Sequence, residues 1–118
     1  VEVTPTATVS VEVAGQEEPL VDAAIGDGPV DAICRAIDRI TGLSCELGSY
    51  NIRAITKGKD ALGEVTLEVV SGDDSARGRA ARTDILEASA EAYLAAVNRL
   101  VSRRTEEADH VEGRPHGM

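Results

Sequence analysis

The 118-residue chain contains no phenylalanine and no tryptophan, and Tyr50 and Tyr93 are its only aromatic residues. A surface that stacks nucleobases needs more aromatic area than two tyrosines supply. Positive charge is scarce as well: 12 lysines and arginines face 21 aspartates and glutamates, for a net charge of −9 and a pI near 4.6. That balance excludes a phosphate-backbone binder, which needs a basic groove. No cationic amphipathic face offers adsorption to a membrane surface. Nor does any apolar run approach the roughly 20 residues a bilayer span requires. No secretory leader pattern opens the chain, so the expected compartment is the cytoplasm. Cys34 and Cys45 are too few for a disulfide framework or a zinc site and are expected to stay free, as small apolar side chains. The two histidines, His110 and His116, fall near the C-terminus, which leaves Cys34 without an obvious base and offers no scaffold for a metal. Val1 stands where an initiator methionine would, which suggests processing or a longer parent chain.

What is present is a core of small aliphatics. Hydrophobic residues make up 42% of the chain, nearly all Ala, Val, Ile and Leu. A domain of this length buries only about two-thirds of its unfolded surface, and without large aromatics each residue adds little. Association would add buried area, so a homodimer with a closed two-fold is expected.

The order of elements can be read from periodicity. Residues 6–14, TATVSVEVA, alternate Ala7, Val9, Val11 and Val13 with polar residues, as a half-buried strand does. LVDAAI pairs with it across a turn and places Val21, Ala23 and Ile25 on one face. GDGP then breaks the strand. Pro29 suits the first helical position, Gly28 precedes it as cap, and Asp31 falls in the first turn. Val30, Ile33, Ile37 and Ile40 form one helical stripe, and Gly42 ends it. Residues 44–55 return to strand, with a phase slip at Gly48 that reads as a bulge. TKGKDALG reads as a loop, EVTLEVV as a strand and SGDDS as a turn; ARGRAA is a third strand with Arg77 and Arg79 outward. A second helix begins near Asp84 and carries Leu86, Ala90, Tyr93, Val97 and Leu100. Residues 102–118 lose periodicity and are expected to form a disordered tail behind a domain of residues 1–101.

The fold class is therefore α+β: a single domain of two pseudo-repeated antiparallel units, strand-strand-helix and strand-strand-strand-helix. Each helix has an aspartate at its mouth. Asp84 and Glu87 form a capping pair, and capping is the ordinary meaning of such a pattern. Two helix N-termini brought together would also offer free N–H groups to a small carboxylate. Both readings stand on sequence alone. The GDG loop lacks the Walker lysine, and Asp31 would repel a phosphate. Nowhere do an acid, a base and a nucleophile cluster.

GDGPVDAICRAIDRITG, AITKGKDALGEVTLEV and GRAARTDILEASAEAYLAAVNRL resemble, in this order, the signatures of the C-terminal regulatory domain of the 2-isopropylmalate synthase family. The resemblance runs from about Ala7 to Val101. It implies an allosteric domain that binds leucine for feedback inhibition and dimerises, with the effector held between the two repeats near the dimer interface. It also implies that the condensation chemistry, its divalent metal and acetyl-CoA belong to a separate catalytic barrel, so this chain carries no cofactor and does not catalyse. The effector-binding residues implied are Gly26, Asp27, Gly28 and Pro29 before the first helix, and Asp31, Cys34 and Ile37 on it. Ala61, Leu62 and Gly63 come from DALG, and Thr83, Asp84 and Ile85 from the mouth of the second helix. The family often has an aromatic where Cys34 stands, and TGG where this chain has TKGKD. Three alternatives remain at this point: an isoleucine sensor like that of citramalate synthases, a small enzyme using Cys34, and a purely structural dimerisation module.

Overall fold

A computed structural model describes residues 1–112 and gives seven elements: β1 (Thr6–Val11), β2 (Leu20–Ile25), α1 (Pro29–Thr41), β3 (Glu46–Lys57), β4 (Asp60–Ser71), β5 (Asp74–Arg82) and α2 (Ile85–Glu112). Two antiparallel sheets, β1-β2 and β3-β4-β5, each carry one helix, and the two halves share one core. The α+β architecture is that expected from the periodicity.

In the first unit β1 and β2 pair from Thr6↔Ile25 to Val11↔Leu20. Ala7, Val9 and Ala24 turn toward α1, while Val21, Ala23 and Ile25 share the opposite face with Thr6, Thr8 and Ser10. That opposite face is bare: Val21 is 58% and Ile25 61% exposed. The strand ends at Val11, three residues short of the expected Ala14. Pro29 opens α1 behind Gly28, and Gly42 closes it in the left-handed region at φ 74°, its N–H bonded to the Asp38 carbonyl at 2.9 Å.

In the second unit β4 is central, with the β-bulge between Leu47 and Ser49 where the phase slips. α2 packs on β4 and β5, sealing Val65, Leu67, Val69 and Ala76 beneath it. Its inward face carries a row of small side chains, Ala88, Ala92 and Ala96, spaced one turn apart, beside the larger Tyr93, Val97 and Leu100. The helix rides so close to β5 that a Cβ at Gly78 would lie 1.8 Å from the Ala92 carbonyl oxygen.

Two expectations change. The segment expected as a loop, residues 56–63, continues the strands: β3 runs to Lys57, Gly58 and Lys59 make the turn, and β4 starts at Asp60. Gly58 supplies the positive φ of 65° that this tight turn requires. Of the expected tail, residues 102–112 continue α2, and the rest, with His116, lies outside the described residues. Arginines fasten α2 to the sheet at the start of this stretch and just before it. Arg99 donates to the Arg77 carbonyl at 3.0 Å, Arg103 to the Ser75 carbonyl, and Arg104 to Ser71 Oγ at 2.8 Å. Among the described residues, no helix is long and apolar enough to cross a membrane.

Candidate functional site

The two halves meet in two grooves. Each has one wall from the helix of one unit and one from the first strand of the other.

The larger groove, about 680 Å³, lies between α1 and β3. Because Ile33 and Ile37 face the core, the neighbouring stripe of α1, at steps of four residues, turns outward into the groove. It presents Val30 and Asp31, then Cys34 and Arg35, then Asp38. β3 and the turn before it supply Cys45, Glu46, Leu47 and Tyr50, and Tyr93 of α2 closes the floor. The chain's two aromatic residues therefore meet at one site. Tyr93 donates to Asp38 Oδ1 at 2.6 Å, tying α2 to α1. Tyr50 and Ser89 are 2.6 Å apart; Ser89 Oγ spends its single hydrogen on the Ile85 carbonyl at 2.8 Å, so the Tyr50 phenol is the donor.

Electrostatics set what this groove can do. Burial raises the Asp38 pKa above the usual carboxylate range, and the bond from Tyr93 partly opposes that rise. Burial, then the nearby Asp38 and Asp31 charges, push the Cys34 thiol up to about 12. Cys45 is raised for the same leading reason. Both cysteines are therefore thiols at neutral pH, poor nucleophiles, which speaks against chemistry at Cys34. Among the described residues no group of three His, Cys, Asp or Glu gathers to hold a metal. What remains is a guanidinium, carboxylates and an apolar lining of Val30, Leu47 and tyrosine rings: groups suited to a small zwitterion with an apolar side chain.

The smaller groove, about 470 Å³, lies between β1 and α2, where the first turns of both helices open together: Pro29 and Ile33 from α1, Leu86, Glu87 and Ala90 from α2.

The thirteen residues singled out from the sequence are not brought together at one place. Asp31 and Cys34 line the larger groove, and Pro29 the smaller. Gly26 is buried, where a Cβ would lie 2.3 Å from the Ala32 nitrogen, so it sets how closely α1 folds back on its sheet. Asp27 donates its N–H to Asp31 Oδ2 at 2.8 Å, and Gly28 caps α1 in an extended conformation without a side-chain bond. Ile37, 1% exposed, is sealed in the core. Ala61, Leu62 and Gly63 begin β4 beside Thr83, Asp84 and Ile85, with Ile85 lying over Gly63.

The helix mouths differ. Asp84 Oδ1 accepts the N–H groups of Leu86 at 2.8 Å and Glu87 at 3.3 Å, so α2 is capped by its own carboxylate. At α1 the first helical bond is Ala32 N–H to the Gly28 carbonyl; among the described residues, the N–H groups of Val30 and Asp31 have no acceptor. Arg35, Asp38, Leu47, Tyr50 and Tyr93 were not singled out. The four-residue steps Asp31–Arg35 and Cys34–Asp38, and the rarity of aromatics, were the available signals.

Residues 1–101 match the family described as the LeuA allosteric (dimerisation) domain. The chain is 55% identical over 100 residues to the 2-isopropylmalate synthase of Pelotomaculum thermopropionicum, covering 84% of this chain and 19% of that protein. It is 54% identical over 98 residues to that of Carboxydothermus hydrogenoformans, and 50% over 97 residues to that of Ruminiclostridium cellulolyticum, each covering 82% of this chain and 19% of the relative. The chain thus spans about a fifth of the length of these relatives.

Proposed function

Because the chain belongs to the LeuA allosteric (dimerisation) domain family, we propose that it is the leucine-sensing, dimerising part of a 2-isopropylmalate synthase and serves feedback inhibition of leucine synthesis. The observation that carries this reading is the origin of the larger groove, walled by α1 of one unit and β3 of the other. A groove made jointly by two units changes shape when they move, so an occupant can favour one arrangement over another. Its volume, about 680 Å³, is within the ordinary range for small-molecule sites.

In this reading leucine's ammonium meets the carboxylates on α1. Its carboxylate meets Arg35 or the free N–H groups at the mouth of α1, where the helix dipole favours an anion. The isobutyl group lies against Val30, Leu47 and the Tyr50 ring. Gly26 to Pro29, Ala61 to Gly63 and Thr83 to Ile85 lie outside this groove and shape the two helix mouths and the sheet beside them. The condensation itself, with its metal and acetyl-CoA, belongs to a barrel in the remaining four-fifths of the parent enzyme. The bare outer face of β1-β2, centred on Val21, Ala23 and Ile25, suits a second copy of the chain, because large exposed apolar patches mark association surfaces.

Titration calorimetry of the chain against leucine, isoleucine and valine tests the proposal. Heat with leucine above the others is expected. One methylene is worth only about 1–3 kcal/mol in an apolar pocket, so preference for isoleucine would reassign the effector, and silence with all three would leave only a dimerisation role.

A further inference from the structure

The larger groove is not electrically balanced. Asp31 and Asp38 on α1 and Glu46 on β3 line it against a single guanidinium, that of Arg35. Arg35 is already engaged, its Nε 2.9 Å from Asp31 and a terminal nitrogen 3.7 Å from Asp27. Among the described residues no arginine or lysine pairs with Asp38; its one side-chain partner is the Tyr93 hydroxyl at 2.6 Å. A half-buried carboxylate held by two neutral donors, the Tyr93 hydroxyl and the Cys45 backbone N–H, with no cationic partner and a cavity beside it, is a site for a cation.

We propose that Asp38 is the residue that recognises the effector's ammonium group, so that the groove accepts a protonated α-amine and rejects the same carbon skeleton bearing a hydroxyl or keto group instead. The inference rests on the reading of this groove as the effector site and says what that site selects. The apolar contacts of an amino acid and of its 2-hydroxy analogue are the same, so the lining cannot separate them. The analogue, however, brings the same carboxylate without the ammonium, and so adds a net negative charge to a groove that already holds an excess of carboxylates. In partly desolvated surroundings that difference is amplified. Tyr93 is the positioning group: burial raises its phenol pKa, so it stays a donor and fixes the Asp38 rotamer.

A pH dependence follows. Protonation of Asp38 removes the charge that the ammonium needs, and burial brings that protonation to a pH above the usual carboxylate range. The other charged or titratable groups around it are Asp31, Cys34 and Arg35 on α1. Cys45 and Glu46 face it from the β3 side, and α2 brings Tyr93, with Arg104 beside Cys45.

Calorimetry with leucine and with 2-hydroxy-4-methylpentanoate, at neutral and at mildly acidic pH, tests the assignment on the unaltered chain and on D38N and D31N. The unaltered chain is expected to bind the hydroxy acid at least about tenfold more weakly than leucine. D38N keeps an acceptor for Tyr93 and is expected to lose about tenfold or more in leucine affinity. It should also narrow the gap to the hydroxy acid and flatten the pH profile. Leucine affinity unchanged in D38N, loss confined to D31N, or a hydroxy acid binding as well as leucine would overturn Asp38's role while leaving the effector site in place. Silence of the unaltered chain toward leucine, isoleucine and valine alike would overturn both.

Discussion

Gly78 shows how much one absent methyl group decides. A Cβ there would lie 1.8 Å from the Ala92 carbonyl oxygen, a backbone atom that cannot swing aside, so Gly78→Ala must lift α2 from β5. We expect a loss of about 3 kcal/mol or more, at the upper end for overpacking, read as a lower midpoint in urea; an unchanged midpoint would mean the helix shifts freely. Asp38 works through charge instead. Its folded pKa is raised by burial. Its contribution to stability is therefore fully present below its unfolded pKa and is lost as pH rises through the folded value. Asp38→Asn keeps the acceptor for Tyr93 and removes the half-buried charge. It is expected to melt at or above the unaltered chain at neutral pH, with the difference closing on acidification. A variant that melts lower at neutral pH would show that the Tyr93 bond needs the ionised form.

Both helix starts and the end of α1 were the most legible features. Pro29, Asp31 and Gly42 mark α1, and Asp84 marks the start of α2 through two accepted N–H bonds. Asp84→Ala is expected to cost about 1 kcal/mol, measured by chemical denaturation; no change would mean Thr83 or water replaces the cap. The strands were legible where one face is buried. β1 alternates, and so does β4 through Val65, Leu67 and Val69. They were illegible in the β3–β4 hairpin, because α2 does not cover its far end: Ile52 there is 48% exposed, and polar Lys57, Lys59 and Asp60 surround the turn. The far part of α2 was hidden for a related reason, since its hold on the sheet comes from Arg103 and Arg104 reaching backbone and hydroxyl oxygens, which leaves no apolar period. The candidate groove was half legible. Asp31 and Cys34 lie in motifs on one helix, but Leu47 and Tyr50 come from a strand of the other unit, and no local pattern says which strand a helix will lie beside.

At the scale of the molecule, the thin core is small-residue packing between α2 and its sheet, with α1 drawn against it by Ile33, Ile37 and the Asp38–Tyr93 bond. Ile25, 61% exposed on the outer face of β2, adds little to the core of the monomer. Ile25→Asp should therefore leave the fold intact and shift sedimentation from dimer to monomer; a dimer unaffected by it would place the association elsewhere. The grooves carry a last consequence. Only the short crossover from Gly42 to Cys45 joins β1-β2-α1 to the second unit, so a protease that nicked it would leave two pieces, neither holding a whole binding cleft. Any molecule lodged in such a cleft would act as glue between the pieces, and its concentration would set how much of the severed protein stays together.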